Sequence, residues 1–393
     1  MKFNVILVKF GEIGIKGKIA RRRMQTILAK NIETALKENG FMDAKVKVHP
    51  GRIIVDGISE DGREAEVISR VFGVTGVSRA HRGEYSDLRD LVSKVANIVE
   101  EDVKGKIFMV RGRRAYEERF NSKDIERELG SELLRRGAKK VDLENPEVSI
   151  WTEARGGIFL VYAENIRGPG GLPLGTDGKV IALVSGGFDS PVAAWMIMRR
   201  GAKADIVFFN IGGKLQKEVF LKTVRKLLCN WGYGYNSKVF IIEHRWIFPY
   251  LDKFPEGFRT VALKASMYMG GEIIAEREKA KAIVTGESLA QVSSQTLDNL
   301  FATEQFVSIP VLRPLIGMDK VEIIDLARKI GTYEHSSMMP EFCAISGTKA
   351  STSVDPKRLS EIYEELRLRD EIKGEVINNA EIIERSELCM QGP

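Results

Sequence analysis

Cysteine is scarce in this 393-residue chain: Cys229, Cys343 and Cys389 are the three present, in no CxxC or other metal-like spacing. So sparse and odd a set argues against a disulfide framework and for a reducing, cytoplasmic setting. The four histidines, His49, His81, His244 and His335, form no HxxxH or HExxH pattern, so zinc hydrolysis is not expected and no metal ligand is assigned. No apolar run approaches the roughly 20 residues that span a bilayer, which leaves no membrane partner in view. The apolar stretch after Met1 lacks a small-residue cleavage site and reads as a first β-strand, not a secretory leader. The chain also contains no GxxxxGK[ST], which excludes a kinase-like or GTPase-like phosphate loop.

What is present is the balance of a globular protein long enough for two or three domains, with 44% apolar and 29% charged residues. The net charge of +6 is unevenly placed. Residues 1–173 carry 32 Lys and Arg against 26 Asp and Glu, whereas residues 174–393 carry 28 of each. The excess sits in the first part, as expected if that part meets a polyanion.

Periodicity separates the chain into parts. Residues 1–60 read as a strand (5–10), a basic helix (20–39) closed by Gly40, and two short strands (45–48 and 52–55). Residues 61–165 open on a helix (61–72) and continue as strand 76–79, helix 88–100, strand 106–111, helix 122–136 and strands 147–153 and 157–163. Without strict alternation, both units are α+β. Residues 165–178 hold five glycines and two prolines, a linker composition. Beyond it, apolar strands 180–184, 204–209, 238–242 and 282–285 alternate with helices 191–200, 216–231 and 260–279. Apolar runs between helices imply a parallel sheet covered on both faces, a doubly wound α/β domain over 179–354. Residues 355–393 form a charged helical tail.

The first strand of that domain runs through Ser185-Gly186-Gly187-Phe188-Asp189-Ser190-Pro191 into a helix. Glycines allow close approach of an anion, and the unpaired amides and dipole of a helix start hold phosphate. Ser185 and Ser190 add hydroxyl donors. Asp189 suits the orientation of magnesium or of a reacting group. The SGGFDS loop resembles the PP-loop of ATP pyrophosphatases, which cleave ATP to AMP and pyrophosphate.

Downstream stand GESLAQVSSQT (286–296), LRPLIGMDK (312–320) and MPEFC (339–343), with RGPGGLPLGT (167–176) ahead of the loop. Together these are similar to the tRNA 4-thiouridine synthetase family, also linked to sulfur insertion in thiamine thiazole synthesis. The likeness runs from the N-terminus to about residue 349. It implies a ferredoxin-like domain at 1–60, a THUMP RNA-binding domain at 61–165, a linker at 166–178 and the ATP pyrophosphatase domain. The implied activity is ATP-dependent adenylation of the 4-oxygen of a uridine in tRNA, at position 8 by family likeness, followed by its replacement with sulfur.

Carried onto this sequence, the ATP pocket comprises Leu183, Val184, Phe208, Phe209, Lys264, Gly286 and Gln295 beside the loop, with ATP and Mg2+ as cofactors. Asp189 and Lys320 match positions essential in the family, and Cys343 matches its sulfur-handling cysteine. A helix-start ion pair of Lys320 with Asp319 or Glu322 is the plainer reading of that lysine. Candidate tRNA contacts are Arg21, Arg22, Arg23, Arg111, Arg113, Arg114, Arg135 and Arg136. Long members carry a C-terminal rhodanese domain that this chain does not show, so sulfur is expected from a cysteine desulfurase, from a separate carrier or as sulfide. Cys389 reads as an incidental tail cysteine or as a substitute partner for Cys343. The likeness also implies a homodimer.

Overall fold

Short strands with one buried face build the first half of the chain. They are β1 (Val5–Phe10), β2 (Lys45–His49), β3 (Arg52–Asp56), β4 (Val74–Glu84), β5 (Ile107–Arg114), β6 (Lys140–Val141), β7 (Val148–Arg155), β8 (Ile158–Tyr162) and β9 (Ile166–Arg167). The computed structural model describes residues 1–116, 118–339 and 350–390. It divides the chain into two units, Met1–Gly171 and Leu172–Pro393. Among the described residues of the first unit, these nine strands make one sheet in the order β2-β3-β1-β4-β8-β7-β5-β6, with β9 added on β4.

The helices of this unit follow their apolar stripes. Lys18–Glu38 buries Leu28, Ile32, Ala35 and Leu36. Leu88–Val103 buries Leu91, Val95 and Val99, and Ser122–Arg135 buries Ile125, Leu129 and Leu133, each at helical spacing against Phe108, Ile150 and Phe159. Asp87 caps the first of these two helices, and Asn121 with Asp124 forms a capping box on the second.

β4 is much longer than the strand expected at 76–79, and no break in the sheet falls at residue 60. Its first half pairs antiparallel with β1 (Leu7 opposite Ser78) and its second half with β8 (His81 opposite Val161). Buried Glu153 adds a second tie across this unit, receiving Arg52 Nη2 at 2.7 Å and Arg155 Nη1 at 3.0 Å. The helix expected over 61–72 shrinks to Glu64–Ile68. Ahead of it the Glu64 carboxylate accepts from the Ser59 amide and hydroxyl, so those residues form a turn. The glycine-rich stretch is not a loose tether: the Gly170 amide bonds the Val74 carbonyl at 2.7 Å, and Gly175 and Asp177 donate to the Gly201 carbonyl.

The second unit is the expected doubly wound sheet, with additions. Its strands are β10 (Lys179–Leu183), β11 (Lys203–Asn210), β12 (Lys238–Glu243), β13 (Ile283–Val284), β14 (Val311–Leu312) and β15 (Glu381–Glu384). The order is β14-β13-β10-β11-β12-β15, and β10 to β14 run parallel. The helix Arg259–Glu278 covers the core that includes Ile181, Val207, Phe240 and Met269. The tail corrects the reading of a helical appendage. Its helices Pro356–Glu365 and Leu368–Asn379 bury Leu359, Ile362, Leu368, Ile372 and Val376 in that core, and β15 closes the sheet antiparallel to β12.

Candidate active site

From β10 the chain winds to β11 and β12 on one side, then returns to lay β13 and β14 on the other. β10 and β13 therefore flank the point where strand order reverses, which is where doubly wound sheets open a crevice at their carboxyl ends. The SGGFDS loop leaves β10 there and the GESLAQVSSQT segment leaves β13. Gly286 lets them meet. A Cβ on Gly286 would lie 2.6 Å from the Ser190 amide nitrogen, 2.7 Å from Ser190 Cα and 2.8 Å from the Asp189 carbonyl carbon.

Within the loop, Gly186 has φ +86°, and a Cβ there would strike Met339. The Ser190 hydroxyl accepts from the Ser185 amide at 2.9 Å and lies 3.2 Å from the Ser185 hydroxyl. The Gly187 amide donates to Ser185 Oγ at 3.4 Å, and Ser336 donates to the Gly187 carbonyl. The loop is thus held open by its own serines.

Asp189 begins the helix Asp189–Met198. Its Oδ1 receives Lys320 Nζ at 2.6 Å and its Oδ2 receives Gln291 Nε2 at 3.0 Å. Lys320 opens the helix Lys320–Ile330, whose Asp319 and Glu322 are engaged in a reciprocal capping box. The plainer reading of Lys320 therefore does not hold: its local acids cap backbone amides, and its ammonium reaches Asp189. It also lies 5.5 Å from the Phe188 ring. A cavity of about 430 Å³ lined by Ser288, Gln291, Met318, Asp319 and Lys320 opens beside this pair.

Lys264 is also engaged. Its Nζ donates to Glu287 Oε1 at 3.1 Å, while Glu287 Oε2 accepts from Tyr268, Thr285 and Arg313. Burial pushes the Glu287 carboxyl up, but Lys264, Tyr268 and Arg313 outweigh it and hold the group below the usual carboxylate range. The Gln295 side-chain carbonyl accepts from the Ser288 amide at 3.2 Å and shapes the segment after β13. Phe208 stacks on Phe220 at 4.0 Å and Phe209 meets His244 edge-on at 5.0 Å, so both rings are core. Their backbones pair with β12, and the Val184 amide bonds the Val207 carbonyl. Gln291, Glu287 and Arg313 were missed as single residues, although all three lie inside the quoted motifs.

Comparison with known proteins finds relatives over nearly the whole chain. A family model described as Thiamine biosynthesis protein (ThiI) matches residues 175–368, its ferredoxin-like domain matches 5–78 and a THUMP domain matches 85–164. A probable tRNA sulfurtransferase of Saccharolobus solfataricus is 43% identical over 97% of this chain and 99% of its own. The chain belongs to the tRNA sulfurtransferase family. A tRNA sulfurtransferase of Pyrobaculum aerophilum is 42% identical over 98% of this chain and 78% of its own. A solved 4-thiouridine synthetase in complex with RNA and bound ATP superposes with a TM-score of 0.83, at 28% identity over 98% of this chain and all of that one.

Cys343, expected to handle sulfur, lies outside the described residues. The other two cysteines correct the expectation that no disulfide forms. Cys229 and Cys389 form a disulfide with Cα atoms 5.6 Å apart across 160 residues, so Cys389 is not an incidental tail cysteine. It sits in the helix Arg385–Met390, and Cys229 in the helix Lys214–Trp231.

The arginines expected at tRNA fall into two groups. Arg21, Arg22, Arg23, Arg113 and Arg114 are exposed, and Arg111 is half-buried. Arg135 pairs with Glu132, and Arg136 binds Glu132, Glu100 and Asn97, which ties two helices together. Those two are the weaker candidates. A cleft of about 1310 Å³ in the first unit is lined by both signs, including Arg89, Arg119, Glu128 and Glu132, and holds none of the loop residues.

Proposed function

We propose that this chain is an ATP-dependent tRNA uridine 4-sulfurtransferase. The observation that carries the reading is the Lys320–Asp189 ion pair, 2.6 Å long, at the mouth of a PP-loop lying on the switch point of the sheet. A uridine 4-oxygen is a poor leaving group, so it must first become a better one. In the proposed reaction the 4-oxygen attacks the α-phosphorus of ATP and pyrophosphate leaves. The outer sulfur of a cysteine persulfide then attacks C4, AMP departs with the oxygen, and a second thiol, free cysteine in the assay, cleaves the S–S bond to leave the sulfur on C4.

The residues suit these steps. The loop amides that are not already donated to Ser185 and Ser190, together with the helix start, would face the developing phosphate charge. Lys320 contributes a cation there, and Asp189 aligns it. The donor set suits magnesium, which is ordinarily held by one or two carboxylates together with substrate phosphates; Asp189 would be the protein's carboxylate. The ion would neutralise charge on the polyphosphate. Lys264, Gly286 and Gln295 would line the nucleotide, with the backbones of Leu183, Val184, Phe208 and Phe209 reading the base. Cys343 would carry or receive the sulfur, delivered by a cysteine desulfurase.

The first unit holds the whole +6 excess, because residues 172–393 balance to zero, and it would dock tRNA through Arg21–Arg23, Arg113 and Arg114. Phosphate contacts of this kind make binding steeply salt-dependent. A ferredoxin-like domain at 1–60, THUMP at 61–165, a homodimer, a cytoplasmic location and a second role in thiamine thiazole sulfur transfer belong to the same proposal. Among the described residues no helix is long and apolar enough to cross a membrane.

The test incubates pure protein with ATP, unmodified tRNA, desulfurase and cysteine, and follows AMP and the absorbance band of 4-thiouridine. Absence of the band and of tRNA-dependent AMP would overturn the reading. Cys343→Ser should keep AMP formation and lose the band.

A further inference from the structure

The buried carboxylate of Glu287 is bonded asymmetrically. Its Oε2 takes three donors: Thr285 Oγ1 at 3.0 Å, Arg313 Nε at 2.9 Å and the Tyr268 hydroxyl. Its Oε1 takes one, Lys264 Nζ at 3.1 Å. The Glu287 side chain is 7% exposed and that of Arg313 13%, whereas Lys264 keeps 23%. Arg313 is fixed from its other end by Glu304 at 2.7 Å and lies 3.4 Å from the Tyr268 hydroxyl. Among the described residues Lys264 makes no ion pair other than that with Glu287. Of the two cations on Glu287, one is clamped and the other can leave.

The consequences of departure differ as well. If Lys264 swung away, Glu287 would keep Arg313 as counter-charge and three hydrogen bonds, so no bare carboxylate would be left in the protein interior. If Arg313 left, Glu287 would lose its most rigid partner. Glu287 directly follows Gly286, which abuts the backbone of Asp189 and Ser190 at the phosphate loop. The exchangeable ammonium is thus held by the residue next to the anion-binding turn.

We propose that Glu287 is a positioning residue that holds Lys264 in reserve, with Arg313 as permanent counter-ion, and releases it to the polyphosphate of an incoming nucleoside triphosphate. This rests on the reading that Lys264 meets ATP. Glu287 and ATP then compete for one ammonium, and the strength of the Glu287 grip sets part of the nucleotide affinity. No bond is made or broken; one ion pair is exchanged for another.

The competition gives signs that a merely structural role does not. Glu287→Gln loosens the grip, so ATP should bind about tenfold more tightly, although the substitution removes a buried, well-bonded group. Arg313→Gln leaves Lys264 as the sole cation on Glu287, so ATP should bind about tenfold more weakly. Both effects should vanish in a Lys264→Met background. Affinity is read by calorimetry with ATP on the full-length protein, with thermal melting as the check of folding. If Glu287→Gln does not fold, the Arg313→Gln and Lys264→Met cycle decides. Tighter binding in Glu287→Gln, or an Arg313→Gln loss that disappears with Lys264→Met, supports the exchange. Weaker binding in a folded Glu287→Gln, or effects that persist additively without Lys264, overturns it. Unchanged ATP affinity in Lys264→Met alone overturns instead the reading that Lys264 meets ATP.

Discussion

Gly286→Ala is the smallest change that tests whether the loop after β13 must touch the phosphate loop. The added Cβ would sit 2.7 Å from Ser190 Cα, about 0.8 Å inside the roughly 3.5 Å at which two carbons make good contact. All three of its nearest atoms are backbone atoms of Asp189 and Ser190, so no flexible side-chain end can move aside. Either the segment after β13 or the start of the helix Asp189–Met198 must shift by several tenths of an ångström. Overpacking of this kind costs about 1–3 kcal/mol. A displacement approaching 1 Å at a reacting centre costs about 100-fold in rate. We expect tRNA-dependent AMP formation to fall about 100-fold while the protein stays folded, read by radiolabelled ATP turnover alongside thermal melting. Gly374→Ala is the control: a Cβ there meets nothing within 4 Å, and a glycine in the helix Leu368–Asn379 should gain stability on replacement. Wild-type turnover and melting in Gly286→Ala would refute the close approach.

Asp189→Ala should abolish AMP formation, and Lys320→Met should lower kcat about 100- to 1000-fold with little change in melting, measured in the same assay. Under non-reducing conditions thiol titration of the unfolded chain should find one free thiol, and after reduction three. Closing a loop across 160 residues is worth about 5 kcal/mol on the chain-entropy scale, so reduction or Cys229→Ser should lower the melting temperature by roughly 10 °C. His244 is held down to about 3 by burial, with Ser266 at 2.8 Å from Nε2. The unfolded ring takes a proton near pH 6.5 and the folded ring does not, so stability present above that pH is lost as pH falls from about 6.5 toward 3. About 2 kcal/mol should be gone at pH 5, and denaturant melts of His244→Gln should lack that slope. An unchanged slope in the variant would assign the acid sensitivity to other groups.

What could be read in advance was what is local. The SGGFDS loop announces itself because strand, paired glycines and helix start are contiguous, and the apolar runs of β10, β11 and β12 are long enough to show as buried strands. β13 and β14 have two residues each, too few for any periodicity, and β14 went unrecognised although its leucine opens a quoted motif. β15 reads as part of a charged helix because it has only four residues, two isoleucines flanked by glutamates, too few to show a strand period. The cysteines misled for a related reason. Composition speaks of a compartment, whereas pairing depends on two helices meeting across 160 residues.

The site residues show the same division between chemical type and partner. Lys264 and Lys320 were picked out as cations for phosphate, but each is met by a carboxylate that only the fold supplies: Glu287 for the first and, 131 residues away, Asp189 for the second. Around the crevice stand three carboxylates, Asp189, Glu287 and Glu304, and three cations, Lys264, Arg313 and Lys320. The group therefore balances to zero before any nucleotide arrives, too little to gather polyanions unselectively in a unit whose total charge is also zero. On the proposed reading, binding of a triphosphate would instead draw ammonium groups away from carboxylates already in place. A ligand without a polyphosphate chain cannot repay that exchange, and this gives the second unit a reason to ignore the tRNA backbone that the basic first unit would hold.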